Sequence, residues 1–300
     1  MSFSLVPGFN QRYPLDRDND PNETPDLVGG DAAVNSGPDN PRHSRPDRES
    51  LLIETCCTTL AEALAAQSRG AGRIELCVDL SVGGVTPPRD LIRDVVSSLI
   101  IPVNVLIRPL AQCAIGESGY PSENNGAHAS GGGAHLWEGG FQRDTLRAST
   151  QADLGFSAED FVYDEADLNQ MIEDIEYCKS VGAAGVVVGV LTAEGAIDLA
   201  SMRRLIAAAR PLPVTFHRAF DVCTDDPFTA LDKLIALGCT RLLSSGGAPT
   251  AWDGRSVLTL LVRRAGPRLI VMPGSGITPD NLPALASATH AREFHGTRIP

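Results

Sequence analysis

The chain has 300 residues, with 25 Lys or Arg against 37 Asp or Glu, and a formal charge of −12. A hydrophobic content of 43% is enough for a packed core and excludes wholesale disorder. An acidic balance without a basic block argues against nucleic-acid binding, and no apolar run approaches the roughly 20 residues that cross a bilayer. No basic-then-apolar start reads as a secretory signal. The seven cysteines, an odd number in a chain without export signal, are expected as reduced thiols in the cytoplasm or nucleus.

Residues 1–49 hold seven of the 21 prolines and no sustained apolar period. They are expected to be a disordered tail, because they cannot offset their ordering entropy by burial. Beyond them a β-branched run at 51–56 leads to a helix at 58–68 ended by Gly70. A strand at 73–77, a Gly83-Gly84 turn, a helix after Pro87-Pro88 and a strand at 102–108 follow. Residues 111–159, with Gly131-Gly132-Gly133 at their centre, break the pattern; structureless stretches beyond ~15 residues are functional lids or disordered insertions.

The alternation then resumes with a helix at 164–181, a strand at 184–190, a helix at 199–209 and a strand at 213–217. Next come a helix at 228–237, a strand at 241–244, a helix at 256–265, a strand at 268–272, a helix at 279–286 and a strand at 292–295. Eight strands alternating with seven helices imply a parallel sheet closed into a TIM (β/α)8 barrel over residues 50–300, interrupted at 111–159. An open doubly wound sheet is the alternative, but no Gly-x-Gly-x-x-Gly follows the first strand. With the chain stopping at Pro300, the eighth helix is missing. An apolar strip is therefore expected beside the first and seventh helices, left bare or covered by the tail or by a second copy in a homo-oligomer.

Ligands of such barrels sit at the C-terminal strand ends. The first two strands end alike, in Glu54-Thr55-Cys56 and Glu75-Leu76-Cys77. Alternation puts Glu54 with Cys56 and Glu75 with Cys77 on one face, and the ~4.8 Å spacing of neighbouring strands pairs the thiols and the carboxylates. Two such carboxylates repel, raising the pKa of one. Arg108, ending the third strand, is expected to neutralise them or to offer a fork to an anion. His217 is a candidate acid, base or metal ligand, with Arg218 and Asp221 fixing charge around it. Strands six and seven run into Ser245-Gly246-Gly247 and Gly274-Ser275-Gly276, loops whose N–H groups suit an anion, and His295-Gly296 closes the ring. Each feature also has a structural reading: cysteines as buried hydrophobes, glycines as tight turns, and Arg108 with the two glutamates as an ion network plugging the barrel.

Several segments together resemble the CutC copper-homeostasis family: Ile53-Glu54-x-Cys56, Gly72-Arg73-Ile74-Glu75-Leu76-Cys77, Gly83-Gly84-Val85-Thr86-Pro87 and Ile107-Arg108-Pro109. Further along, Asp160-Phe161-Val162-Tyr163, Thr215-Phe216-His217-Arg218-Ala219-Phe220-Asp221, Ser245-Gly246-Gly247 and Glu293-Phe294-His295-Gly296 continue it in order. The resemblance implies a TIM barrel and cytosolic copper handling, with Cys56 and Cys77 as the family's candidate copper-binding cysteines. Soft Cu(I) prefers thiolates, and two on neighbouring strands can share one ion. The sequence departs from the family pattern where Pro109-Leu110 and the insertion replace an expected Arg-Pro-Arg-Gly-Gly continuation, in the missing C-terminal helix, and in the extra N-terminal tail. No reaction follows from the resemblance. Two further readings stay open: an enzyme acting on a small anionic or phosphorylated metabolite, and a scaffold or interaction protein.

Overall fold

All eight strands are present in the computed structural model, which describes residues 51–109, 155–297 and 299. The expected tail at 1–49, and residues 111–154 of the expected insertion, lie outside the described residues. The strands are β1 (Leu52–Cys57), β2 (Arg73–Leu76), β3 (Val103–Leu106), β4 (Gly185–Val188), β5 (Val214–Phe216), β6 (Arg241–Ser244), β7 (Ile270–Pro273) and β8 (Glu293–Gly296). Each pairs in parallel with its neighbours in the order β7-β6-β5-β4-β3-β2-β1-β8. The ring is brought together by a parallel bridge between Gly274 and His295. A Cβ at Gly274 would meet the tip of the Leu243 side chain at 2.5 Å, so any larger residue there has to displace it.

The helices between strands are α1 (Leu60–Ser68), α2 (Arg89–Ser98), α3 (Glu165–Val181), α4 (Leu199–Ala209), the single turn α5 (Ala219–Val222), α6 (Pro227–Leu237), α7 (Arg255–Ala265) and α8 (Leu282–Thr289). Their ends follow local chemistry. Thr59, Asp164, Asp198 and Asp226 accept first-turn N–H groups, and Gly182 and Gly238 end helices in the left-handed region, as side-chain caps and glycine stops do generally. The outer strand residues Ile74, Leu76, Val186, Val188, Phe216 and Leu242 are fully buried under helix residues such as Ile92, Met171 and Leu231. This layer is the hydrophobic core.

Among the described residues no helix follows β8. The apolar strip expected there is closed at its centre: outward-facing Phe294 is fully buried. The chain turns back so that Thr55 Oγ1 donates to Ile299 O at 2.6 Å, and the Ile299 side chain is buried too. Residues 155–159, placed in the insertion by composition, belong to the barrel rim, with Ser157 capping a 3-10 turn at Ala158–Phe161. None of the described helices is long and apolar enough to cross a membrane.

Candidate functional site

Barrel interiors are ordinarily filled by branched aliphatic side chains; this one carries charge. Glu54, Arg73, Glu75, Asn104 and Glu293 point inward and are almost wholly buried. Arg73 donates to Glu54 at 2.5 Å and to Glu293 at 2.6 Å, and Arg241 donates to Glu293 at 2.7 Å. Asn104 Nδ2 donates to Glu54 at 3.1 Å. His295 Nδ1 lies 2.9 Å from Glu54 Oε1 and 3.1 Å from Glu75 Oε2. The network thus ties β1, β2, β3, β6 and β8 together.

Environment pushes the two carboxyls apart. Burial alone would raise Glu54, but the hydrogen bond and charge of His295, with Arg73, hold it at about 2. Burial, helped by the charge of Glu54, lifts Glu75 to about 7 against the pull of His295 and Arg73. Burial opposes a charged His295, yet Glu75 and Glu54 together raise its pKa. Three carboxylates (Glu54, Glu75, Glu293) face two guanidiniums (Arg73, Arg241), so one proton, shared by Glu75 and His295, leaves the cluster neutral. Donor atoms of Glu54, Glu75 and His295 lie within 4.8 Å of one another, close enough for a hard metal ion. A divalent ion would leave this buried cluster with excess positive charge, so a proton fits the set better than a metal does.

Above this floor the sulfurs meet: Cys56 Sγ and Cys77 Sγ are 3.0 Å apart, both as free thiols. Leu106 and Val187 pack around them. The hydrogen bond with Cys77, then burial and the charge of Glu75, push the Cys56 thiol far above its ordinary range. Cys57 points to the opposite face and burial raises it to about 12.

The thiols, Glu75 and His295 line a cavity of about 520 Å³, with Arg108, His217 and Arg218 on its other walls. Arg108 does not neutralise the glutamates as the sequence suggests. β3 has ended at Leu106, and the side chain turns to the Gly83–Gly84 turn, where Nη1 donates to Val82 O and Gly84 O, both at 2.7 Å. Its guanidinium lies over the Phe161 ring at 5.1 Å. His217 packs against the same ring at 5.0 Å. Burial, then the charge of Arg108, lower its pKa to about 3, leaving a neutral imidazole. Its ring occupies the space a Cβ on Gly189 would need.

Asp221 does not join His217. Its carboxylate accepts from Arg218 Nε at 2.9 Å, Ser244 Oγ at 2.6 Å, and the N–H groups of Ser245 and Gly247 at 3.0 and 3.1 Å. The Gly246 N–H goes to Ser244 Oγ at 2.8 Å. The anion cradle expected at Ser245-Gly246-Gly247 is therefore filled by the protein's own carboxylate. The Gly274 N–H is likewise used, donating to Ser244 O at 3.0 Å, while Gly276 remains on the cavity wall.

Sequence reasoning missed Arg73, Asn104, Glu293 and the role of His295. Their signal was polar residues at period two inside strands, Arg73-x-Glu75 and Glu293-x-His295, where aliphatic ones belong. Phe156, inside the stretch that composition reads as loop, and Phe161, just beyond it, wall the cavity.

Comparison with known proteins agrees with this architecture. The CutC family profile matches residues 51–115 and 156–300. CutC of Parabacteroides distasonis is 38% identical over 245 residues, covering 81% of each chain. CutC of Chromobacterium violaceum is 37% identical over 246 residues, covering 82% of this chain and 80% of its own. The solved structure of a copper homeostasis protein CutC from Streptococcus agalactiae superposes with a TM-score of 0.64 at 28% identity, covering 84% of this chain and all of the other. The chain belongs to the CutC family.

Proposed function

We propose that the chain serves copper homeostasis in the cytoplasm by binding Cu(I) through Cys56 and Cys77. The observation that carries this reading is the approach of two free sulfurs to 3.0 Å on the wall of the cavity. Cu(I) is soft and selects thiolates. The groups acting on Cys56 are a second thiol, burial and a carboxylate, all of which suppress the free thiolate. That setting disfavours nucleophilic catalysis, which needs a thiolate stabilised by positive charge; a metal cation brings that charge itself. Anaerobic Cu(I) titration of the wild type and of the Cys56→Ser/Cys77→Ser variant tests the proposal. Loss of tight Cu(I) binding in the variant is expected; unchanged stoichiometry and affinity reject it.

A second reading, an enzyme acting on a small anionic or phosphorylated metabolite, rests on a different observation. Arg108 Nε and His217 Nε2 are buried without a hydrogen-bond partner, and their residues line one cavity together with Glu75, whose Oε2 lies 3.1 Å from His295 Nδ1. Orphaned polar atoms cost free energy unless a ligand satisfies them. Thermal stabilisation by a small anion, surviving loss of both thiols and lost in Arg108→Ala, is the expected signature.

A further inference from the structure

Two arginines stand side by side on the cavity wall, each on an aromatic ring. The Arg108 guanidinium lies 5.1 Å over Phe161, and the Arg218 guanidinium lies 4.9 Å over Phe156. The two rings pack edge to face with centroids 5.6 Å apart. The four side chains therefore form one row, and all four line the cavity. Stacking on a ring holds a planar guanidinium in place and keeps water from one of its faces. Both cations are thus in position before any ligand arrives.

The charge of this row is not answered inside the cavity. Arg108 is 6% exposed, its Nη1 donates to the carbonyl oxygens of Val82 and Gly84, and no carboxylate pairs with it among the described residues. Arg218 gives Nε to Asp221 and Nη2 to Ser245 Oγ, which leaves Nη1 without a partner among the described residues. Asp221 lies behind Arg218, with its side chain fully buried and off the cavity wall. Among the described residues Glu75 is the one acid lining the cavity, and its Oε2 is already met by His295 Nδ1 at 3.1 Å. A chain of formal charge −12 thus presents a cationic cavity wall. A buried charge without a counter-ion costs free energy that an anionic ligand offsets.

At about 520 Å³ the cavity is of a size that encloses one small molecule, so a ligand that fills it meets both guanidiniums. Resting on the enzyme reading above, we propose that this ligand carries two anionic groups, one held by Arg108 and one by Arg218. The shared chemistry is a pair of anions, carboxylate or phosphate, joined by a few carbons. Leu80, Leu106, Leu243 and Ile277 line the same cavity and suit that short carbon backbone. Two anionic groups on one molecule bind better than the same groups on separate molecules, because the second contact is made at high effective concentration. A molecule with one such group leaves one guanidinium unmatched, and a neutral molecule leaves both, so the row also selects against the wrong ligands.

The test compares probes bearing two anionic groups with their single-group fragments, by isothermal titration calorimetry on the full chain in reducing buffer. Succinate against butyrate forms the carboxylate arm. The phosphate arm sets 3-phosphoglycerate against glycerol 3-phosphate and against glycerate. In one arm the two-group probe is expected to bind about 100-fold or more tighter than its fragments, which identifies the anions. Arg108→Met and Arg218→Met each keep an apolar stem on the ring, and each should abolish that preference. Fragments that bind as tightly as the two-group probes overturn the proposal and leave the anion reading standing, as does a preference that persists in both arginine variants. The wild-type comparison decides this even if a variant does not fold. If neither probes nor fragments bind, the enzyme reading falls together with the proposal.

Discussion

Replacing Glu75 by Gln asks whether the barrel keeps a buried carboxylate to the detriment of its own stability. The Glu75 carboxyl is raised from 4.5 to about 7, mainly by burial, and at 5% exposure solvent screens little of that effect. Below the unfolded value of 4.5 the group is protonated in both states and its contribution to stability is fully present. As pH rises from 4.5 to about 7, the unfolded chain gives up the proton while the folded chain keeps it. Stability then falls by about 1.4 kcal/mol per pH unit, about 3 kcal/mol across the window.

Glutamine has the same shape and never ionises. Glu75→Gln should therefore match the wild type near pH 4.5 and exceed it by about 3 kcal/mol near pH 8. With a urea m-value of about 2 kcal/mol/M, that gain moves the unfolding midpoint up by about 1.5 M. Urea melts at the two pH values measure it directly. A variant less stable than wild type in alkali, or a gain independent of pH, refutes the reasoning: Glu75 would then be held as an ion by His295 and Arg73, as Glu54 is.

Glu54 has the opposite dependence. Its carboxyl is depressed from 4.5 to about 2, so its contribution of about 3 kcal/mol is present above the unfolded value and lost as pH falls through the folded one; stability measured in acid should be flatter in Glu54→Gln. Arg73→Met leaves Glu54 and Glu293 without their common cation and should lower neutral-pH stability by about 3–5 kcal/mol, read by thermal or urea melts. Gly189→Ala drives a methyl group into the His217 ring; a loss of about 1–3 kcal/mol is expected, with loss of anion stabilisation in the thermal assay. Cys56, held protonated by Cys77 and burial, should alkylate much more slowly than a free cysteine at neutral pH, as mass spectrometry of a time course would show; fast alkylation would mean that the sulfur pair is not formed in solution.

Much of this protein was legible from periodicity. Short apolar runs located eight strands, Gly70 marked a helix end, and the matched Glu-x-Cys endings of β1 and β2 put both thiols and both carboxylates on the inner face, because side-chain period within a strand is a local property. What local pattern does not contain is which inward residues meet across the barrel. Closure brings β8 beside β1, so that His295 reaches Glu54 across 241 positions and Arg73 reaches Glu293 across 220; those partners, rather than Arg108, neutralise the glutamates. Closure likewise turns Asp221 into the occupant of the Ser244–Gly247 loop and leaves Arg108 and His217, which line one cavity, each with a buried polar atom that has no hydrogen-bond partner. Strand pattern set the facing of each side chain, whereas register and ring closure, which depend on every strand at once, decided which charges were satisfied and which were left for a ligand.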